Sequence, residues 1–222
     1  MRRTILTAVF LGILAGAAPA QEQVGAPLAI TTERTLPRAI LTANYETKLS
    51  ATGGVLPRTW EVIDGKLPPG LNLDPATGAI HGAPTALGQF HFAVEVSDAD
   101  DPADTRTRDF TLSVISALVV EWKKTPGVTP DGIEGSVRLA NQTADDFDLT
   151  MIVVAVNEIG KAFVLGYQHF IFAAGDSMPE ITFGAALPRG DYIVHADVIS
   201  EVPAKNSIYR ARLQTSQPLT TH

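Results

Sequence analysis

Short runs in which apolar and polar residues alternate recur along this chain of 222 residues, and turns rich in Gly, Pro and Asp separate them. Residues 90–96 place two phenylalanines and two valines on one side of an extended segment, and residues 109–114 repeat the alternation. A period of two indicates a strand with one buried face, and frequent turns between such strands are typical of a sandwich or barrel. No amphipathic helix longer than two turns can be traced, so the sequence predicts an all-β fold.

The second half of the chain divides into about seven such strands, the number in a minimal immunoglobulin-like sandwich. One strand ends at Ile115 and the next begins at Leu118, which predicts a domain boundary near Ser116-Ala117 with almost no linker. Each half has a glycine two residues before an aromatic residue at the start of a late strand, at Gly88 and Gly190. This shared corner favours two similar sandwiches over one large barrel. The predicted strands of the second half are 118–122, 133–140, 147–157, 162–173, 179–184, 191–199 and 207–214.

One segment of the first half has an unusually dense pattern of turn residues. Residues 67–73 read Leu-Pro-Pro-Gly-Leu-Asn-Leu, and residues 77–85 read Thr-Gly-Ala-Ile-His-Gly-Ala-Pro-Thr. Gly53-Gly54 followed by Trp60 precedes this segment, and an aromatic strand ending in Ser-Asp, at 88–98, follows it. The whole pattern resembles the bacterial putative Ig domains, which are related to cadherin-like modules of the dystroglycan type. The resemblance covers residues 26–116 and implies an immunoglobulin-like sandwich.

The physical chemistry of the same residues supports that interpretation. Pro68-Pro69-Gly70 forces a sharp bend, after which Leu71 and Leu73 lie on one face and enter the core. Gly78 and Gly82 allow positive φ around a short strand, and the ring of Trp60 belongs in the core. This motif therefore builds a fold and carries no chemistry of its own.

The first twenty residues form a segment of a different kind. A basic start at Arg2-Arg3, an apolar run from Ile5 to Ala15 and the sequence Ala18-Pro19-Ala20 together predict a secretory signal peptide. The run is too short for a comfortable membrane span, so we expect cleavage and no span afterwards. The sequence thus predicts two tandem immunoglobulin-like β-sandwiches, at 26–116 and 117–218, after a cleaved signal peptide at 1–20. We expect the mature protein in the periplasm or outside the cell.

Charge and motif content exclude several classes of function. The formal net charge is −7, and an acidic surface of this kind repels phosphate backbones, so we expect no nucleic acid partner. The chain has no cysteine, which excludes thiol catalysis. Neither a G-x-S-x-G elbow nor an S-x-x-K or H-E-x-x-H motif is present. The sequence therefore predicts a protein that is not an enzyme and that requires no cofactor.

An acidic loop is the main candidate metal site in the sequence. Carboxylate oxygens in a loop are ligands that Ca²⁺ accepts, so four aspartates in this loop form a candidate calcium site. The alternative is a solvated hairpin tip that keeps a sheet edge soluble. A second acidic turn, at 145–148, has fewer ligands and is a weaker candidate. The four aspartates of the candidate site are Asp98, Asp100, Asp101 and Asp104.

Two functions remain open from the sequence. The first is an exported, non-catalytic binding, adhesion or structural module whose partner is an envelope or extracellular protein or a polysaccharide. The alternative is a carbohydrate-binding or accessory subunit of a secreted enzyme system, which predicts an exposed aromatic platform. Tyr167, Phe170 and Phe172 are the best candidates for that platform. Exposure of all three rings would favour the alternative, and their burial would favour the first function.

Overall fold

The computed structural model describes residues 26–99 and 103–222, and within these ranges the chain is almost entirely β-structure. The only helical segment there is a single 3-10 turn, Pro203–Lys205. No helix in the described ranges has the length and hydropathy needed to cross a bilayer. The prediction of an all-β fold is confirmed, whereas the predicted signal peptide at 1–20 lies outside the described residues.

The first half of the chain forms an immunoglobulin-like sandwich from short strands. A four-stranded sheet has the order β2-β9-β8-β5 and faces a three-stranded sheet, β3-β7-β6, while β1 pairs with β4. All pairs are antiparallel except β2 with β9. The strands are β1 (Ala29–Ile30), β2 (Ala39–Ile40), β3 (Tyr45–Lys48), β4 (Ala51–Thr52), β5 (Thr59–Gly65), β6 (Leu71–Leu73), β7 (Ala79–Gly82), β8 (Gly88–Ser97) and β9 (Thr105–Ile115).

The second half forms another immunoglobulin-like sandwich from longer strands. Its smaller sheet has the order β10-β11-β14, and its larger sheet has the order β13-β12-β15-β16, with β17 beside β15. All seven predicted strands are present, and a short eighth strand, β17, was not predicted. The strands are β10 (Leu118–Val128), β11 (Gly132–Asn141), β12 (Phe147–Asn157), β13 (Ala162–Phe172), β14 (Ser177–Ala186), β15 (Gly190–Val202), β16 (Ser207–Gln214) and β17 (Leu219–Thr221).

Each sandwich has a hydrophobic core of its own. Trp60, Leu71 and Ile80 are buried in the first core, as the resemblance implied for the first two. Leu73 is half-buried and packs against this core. The second core contains residues from both sheets, including Val137 and Val153. The domain limits, 26–116 and 117–218, stay a prediction, and the two cores lie on either side of the predicted boundary.

The shared corner of the two halves has a physical basis in the second sandwich. Gly190 has a φ of 153° and opens β15, so that the ring of Tyr192 is buried and its hydroxyl donates a hydrogen bond to the Pro188 carbonyl at 3.0 Å. A tyrosine at this place that bonds back to the preceding loop is a hallmark of immunoglobulin-like sandwiches. A comparable bond in the first sandwich joins the Tyr45 hydroxyl to the Pro37 carbonyl, also at 3.0 Å.

Tyr45 gives the first sandwich a testable dependence on alkaline pH. Its side chain is 7 % exposed, and burial raises its pKa to about 12. Because the folded pKa lies above the ordinary value of about 10, the native state holds this proton more tightly, and that stability is lost as pH rises from about 10 towards 12. We expect Tyr45→Phe to cost about 1 kcal/mol at neutral pH, since one hydrogen bond is lost. Urea unfolding of both proteins should show that difference shrinking above pH 10, whereas a constant difference would contradict the assignment.

Candidate functional site

The outer face of the larger sheet in the second sandwich carries an unusual set of exposed apolar side chains. Residues on β12, β13, β15 and β16 that alternate with the buried ones point away from the core, and the pairing register places them side by side. We call this surface the apolar face. Its exposed large apolar residues are Ile152, Val164, Tyr167, Ile171, Ile199 and Ile208.

The central strand of this face explains why the surface is apolar. Residues 151–156 are apolar on both sides, and this pattern predicts a central strand that is covered on both sides. The structure confirms that β12 is central, because it lies between β13 and β15. The expected cover on the outer side is missing among the residues that the structure describes: Ile152 is 39 % exposed, and Val154 and Val156 are half-buried.

The strands on the two sides of β12 differ in character. β13 continues the apolar surface, whereas β15 and β16 add charged side chains. Towards the edge strand β13, Ile152 lies opposite Tyr167. Towards β15, the same residue lies opposite Asp197, which forms an ion pair with Arg212. Arg210 lies opposite Ile199 and forms no ion pair with any described residue. A shallow groove of about 340 Å³ runs between β15 and β16 at this point.

Three side chains on the apolar face have the residue types of a nucleophile, a base and an acid. The hydroxyl of Thr150 lies 3.0 Å from Nδ1 of His169, and Nε2 of His169 lies 3.5 Å from the Asp148 carboxylate. A cross-strand pair of the same kind, His91 with Thr111 at 3.1 Å, occurs in the first sandwich. Backbone N–H groups of a sheet lie in its plane, so none points out of the face to stabilise an oxyanion. The arrangement is a cross-strand contact between three side chains.

The candidate aromatic platform is split between surface and core. Tyr167 is 59 % exposed, Phe170 is half-buried and Phe172 is 2 % exposed. The rings of Phe170 and Phe172 pack edge to face with centroids 5.9 Å apart. A single exposed ring remains on this strand, together with aliphatic neighbours.

In the described part of the acidic loop, the Asp98 carboxylate accepts hydrogen bonds from two backbone N–H groups. One carboxylate oxygen accepts a hydrogen bond from the Val55 backbone at 3.0 Å, and the other accepts one from the Asp104 backbone at 2.8 Å. Asp104 in turn forms an ion pair with Arg106. Asp100 and Asp101 lie outside the described residues. Asp98 therefore ties the loop to the sandwich through the backbone, and the calcium site stays a prediction.

The second acidic turn does not converge on one point. Asp145 pairs with Lys205 at 2.7 Å, whereas Asp146 accepts a hydrogen bond from the Ala174 backbone at 2.9 Å and Asp148 faces His169. Within residues 26–99 and 103–222, no three acidic or histidine side chains are grouped so that they could hold a metal ion.

Comparison with known families identifies the first sandwich. Residues 17–115 match the family model described as Putative Ig domain. The predicted resemblance of the first sandwich to this family is confirmed over the matched residues. The segment that carried the resemblance, at 67–85, lies in the putative Ig domain as β6, β7 and the turns around them. The family suggests a binding or adhesion-type module, and the apolar face lies in the second sandwich, outside the matched residues.

Solved structures with some likeness to the chain include cadherin domains and a putative α-galactosidase. Mouse cadherin-23 EC22-24 is 15 % identical with a TM-score of 0.38, over 88 % of this chain and 67 % of that one. Protocadherin gamma B2 domains 3–6 are 14 % identical with a TM-score of 0.35, over 88 % and 47 %. A putative α-galactosidase/melibiase of Bacteroides fragilis is 20 % identical with a TM-score of 0.35, over 40 % and 17 %, so the chain spans less than a fifth of that enzyme. No curated protein matches the sequence.

Proposed function

We propose that the protein is an exported, non-catalytic binding module that holds a protein partner of the cell envelope or exterior against the apolar face. The observation that carries this proposal is the uncovered outer side of β12, where Ile152 sits at the middle of a central strand and remains 39 % exposed. Monomeric proteins rarely leave contiguous apolar surface in water, and such patches mark interaction sites. The signal-peptide pattern at 1–20 supports export.

A protein partner fits this surface better than a polysaccharide does. Sugar platforms rely on several exposed rings, and Tyr167 is the one exposed ring of the three candidates. Protein interfaces instead combine apolar side chains with an occasional aromatic residue and arginine at the centre. The apolar face provides this combination, with Ile152, Tyr167 and Arg210. Binding of a carbohydrate through Tyr167 remains the second candidate function.

Capture of partners from envelope extract tests the proposal. The mature protein, beginning at Gln21, would be immobilised next to the variants Ile152→Lys and Tyr167→Lys. A lysine on the apolar face should lower the amount of bound partner at least about tenfold, because a charge is desolvated in the middle of the interface. Ile63→Lys is the matched control, since Ile63 is 47 % exposed on β5 of the first sandwich. Equal capture by all four proteins, each shown to be folded by circular dichroism, would overturn the proposal.

Two further arms of the same experiment separate the alternatives. Protease treatment of the extract should abolish capture, whereas capture that survives protease and is lost after glycosidase treatment would favour the carbohydrate-binding function. Capture in the presence of a chelator tests the predicted calcium loop at 98–104. Capture that requires calcium and is insensitive to Ile152→Lys would move the binding site to that loop.

A further inference from the structure

The edge strand β13 lacks the charged residues and the proline that normally keep an edge strand unpaired. It spans Ala162–Phe172 and contains no Lys, Arg, Asp, Glu or Pro. Its sheet neighbour is β12 alone, and among the described residues its backbone forms no ladder with any other strand. An exposed, long and apolar edge is a template for pairing with another strand, and native proteins usually protect such edges with charge, proline or bulges.

The other long edge strands of the described chain carry that protection. On the opposite edge of the same sheet, β16 has Arg210 and Arg212 pointing outward. In the first sandwich, β5 carries Glu61 and Asp64, and in the smaller sheet of the second sandwich β14 contains Pro179. Among the described edge strands of six or more residues, the lack of both charge and proline is therefore specific to β13.

One irregularity limits the part of β13 that can pair. The register with β12 shifts between Val153 and Val154, which forms a bulge at Leu165-Gly166. Phe183 of β14 approaches the strand here, since a Cβ added to Gly166 would lie 2.9 Å from the Cβ of Phe183. Residues 167–172 beyond the bulge form a regular stretch of six residues. That length is typical of a whole strand in a globular protein.

We propose that β13 pairs antiparallel with β13 of a second copy of this chain, so that two larger sheets join into one across a two-fold axis. Charge selects β13 as the edge at which a second copy can pair. The expected mature chain is acidic and repels its own copy, and pairing at β13 brings no carboxylate opposite another. A two-fold axis also closes the assembly at two chains, because each copy uses the one long edge among its described strands that lacks both charge and proline. The joined sheets place His169 and Phe170, the middle of the stretch 167–172, near the axis and make the outer faces of the two sheets continuous.

This inference goes beyond the proposed function, and the two can fail separately. Edge pairing uses the backbone of β13, whereas partner binding uses side chains that point out of the sheet. Gln168 distinguishes them, because it lies on the edge strand, is exposed and alternates with Tyr167 away from the apolar face. In an antiparallel pair of identical strands, residues near the middle lie opposite or next to their own copies. Gln168→Lys therefore brings two like charges together at the edge while leaving the apolar face unchanged.

Sedimentation equilibrium of the mature protein tests the inference, with concentrations up to ~100 µM so that weak dimers are seen. We expect the wild type to form a dimer, Gln168→Lys to raise the dissociation constant about two- to fivefold, and amides of 167–172 to exchange more slowly at high concentration. The matched control is Gln214→Lys, at the exposed end of the opposite edge strand β16, which should dimerise as the wild type does. A monomer throughout the range, an open series of larger species, or a dimer unaffected by Gln168→Lys would each overturn the inference. A monomeric wild type that still captures its partner would leave the proposed function intact.

Discussion

Replacing Gly70 with alanine is expected to cost the first sandwich about 2–5 kcal/mol of its unfolding free energy. Gly70 has a φ of +91°, a conformation that costs an alanine roughly 1–2 kcal/mol. A Cβ at this position would also lie 2.1 Å from the Ala83 carbonyl oxygen, which belongs to the backbone and cannot rotate away. Relief of that overlap requires a shift of the chain at Ala83, costing about 1–3 kcal/mol more. Small domains have only about 5–15 kcal/mol in total, so the loss is severe.

The two tryptophans allow this loss to be measured in one sandwich at a time. Trp60 is buried in the first core, and Trp122 packs against Phe183 in the second. In a Trp122→Phe background, urea unfolding followed by fluorescence reports on the first sandwich alone. Gly88→Ala is the matched control, because Gly88 also has a positive φ, +137°, but its nearest new contact is Phe90 at an ordinary 3.9 Å. If both variants lost the same free energy, the close approach of Gly70 to Ala83 would play no part in stability.

A comparably large loss, about 3–5 kcal/mol, is expected in the second sandwich when Asn141 is replaced by aspartate. Asn141 is 2 % exposed, and its amide nitrogen donates to the carbonyls of Asp145 at 2.8 Å, Ala173 at 3.1 Å and Phe172 at 3.3 Å. An aspartate has the same shape, yet it would face these carbonyl oxygens with a buried negative charge. Burial and repulsion would raise the pKa of the new carboxyl, so the loss should shrink as pH falls towards 4 and the group becomes protonated.

A second asparagine in the same sandwich gives the control for this substitution. Asn157 uses only its side-chain oxygen, which accepts a hydrogen bond from the Lys161 backbone at 2.8 Å. An aspartate preserves that acceptor, so Asn157→Asp should change stability by less than about 0.5 kcal/mol. Thermal unfolding of both variants between pH 4 and pH 8 makes the comparison. A loss for Asn141→Asp that is small or independent of pH would show that Asn141 does not organise this end of the sandwich.

Much of the fold could be predicted because sandwich strands have local signals. Alternation predicted seven of the eight strands of the second sandwich. Gly190 and Tyr192 indicated the corner at the start of β15. In the first sandwich, turn residues at fixed spacing were sufficient to predict the fold. Gly78 and Gly82 do have the positive φ that their turns require. The short β17 was missed because three residues are too few to show a period.

The candidate site could be predicted only in part, because it depends on which strands are neighbours. Residues 151–156 showed an apolar outer side, but the lack of a covering layer is a long-range property that alternation cannot reveal. The hydrogen bonds of Asn141 could not be predicted from the sequence, since its partners lie up to 32 residues away in sequence. Asp98 was predicted as a metal ligand from the number of acids around it. Composition does not show where its oxygens point, and two of its contacts are backbone N–H groups.

Site-specific photocrosslinking tests most directly whether the apolar face is the binding surface. A photoreactive phenylalanine analogue would replace Tyr167 or Ile199 on the apolar face, and Ile63 or Leu87, which are exposed in the first sandwich, as controls. The cells would be irradiated, and adducts of the exported protein with other proteins would be separated by mass. The account predicts the same heterologous adduct from both positions on the apolar face and none from the two controls. Adducts from the first sandwich alone would contradict it and would place the binding surface on the putative Ig domain.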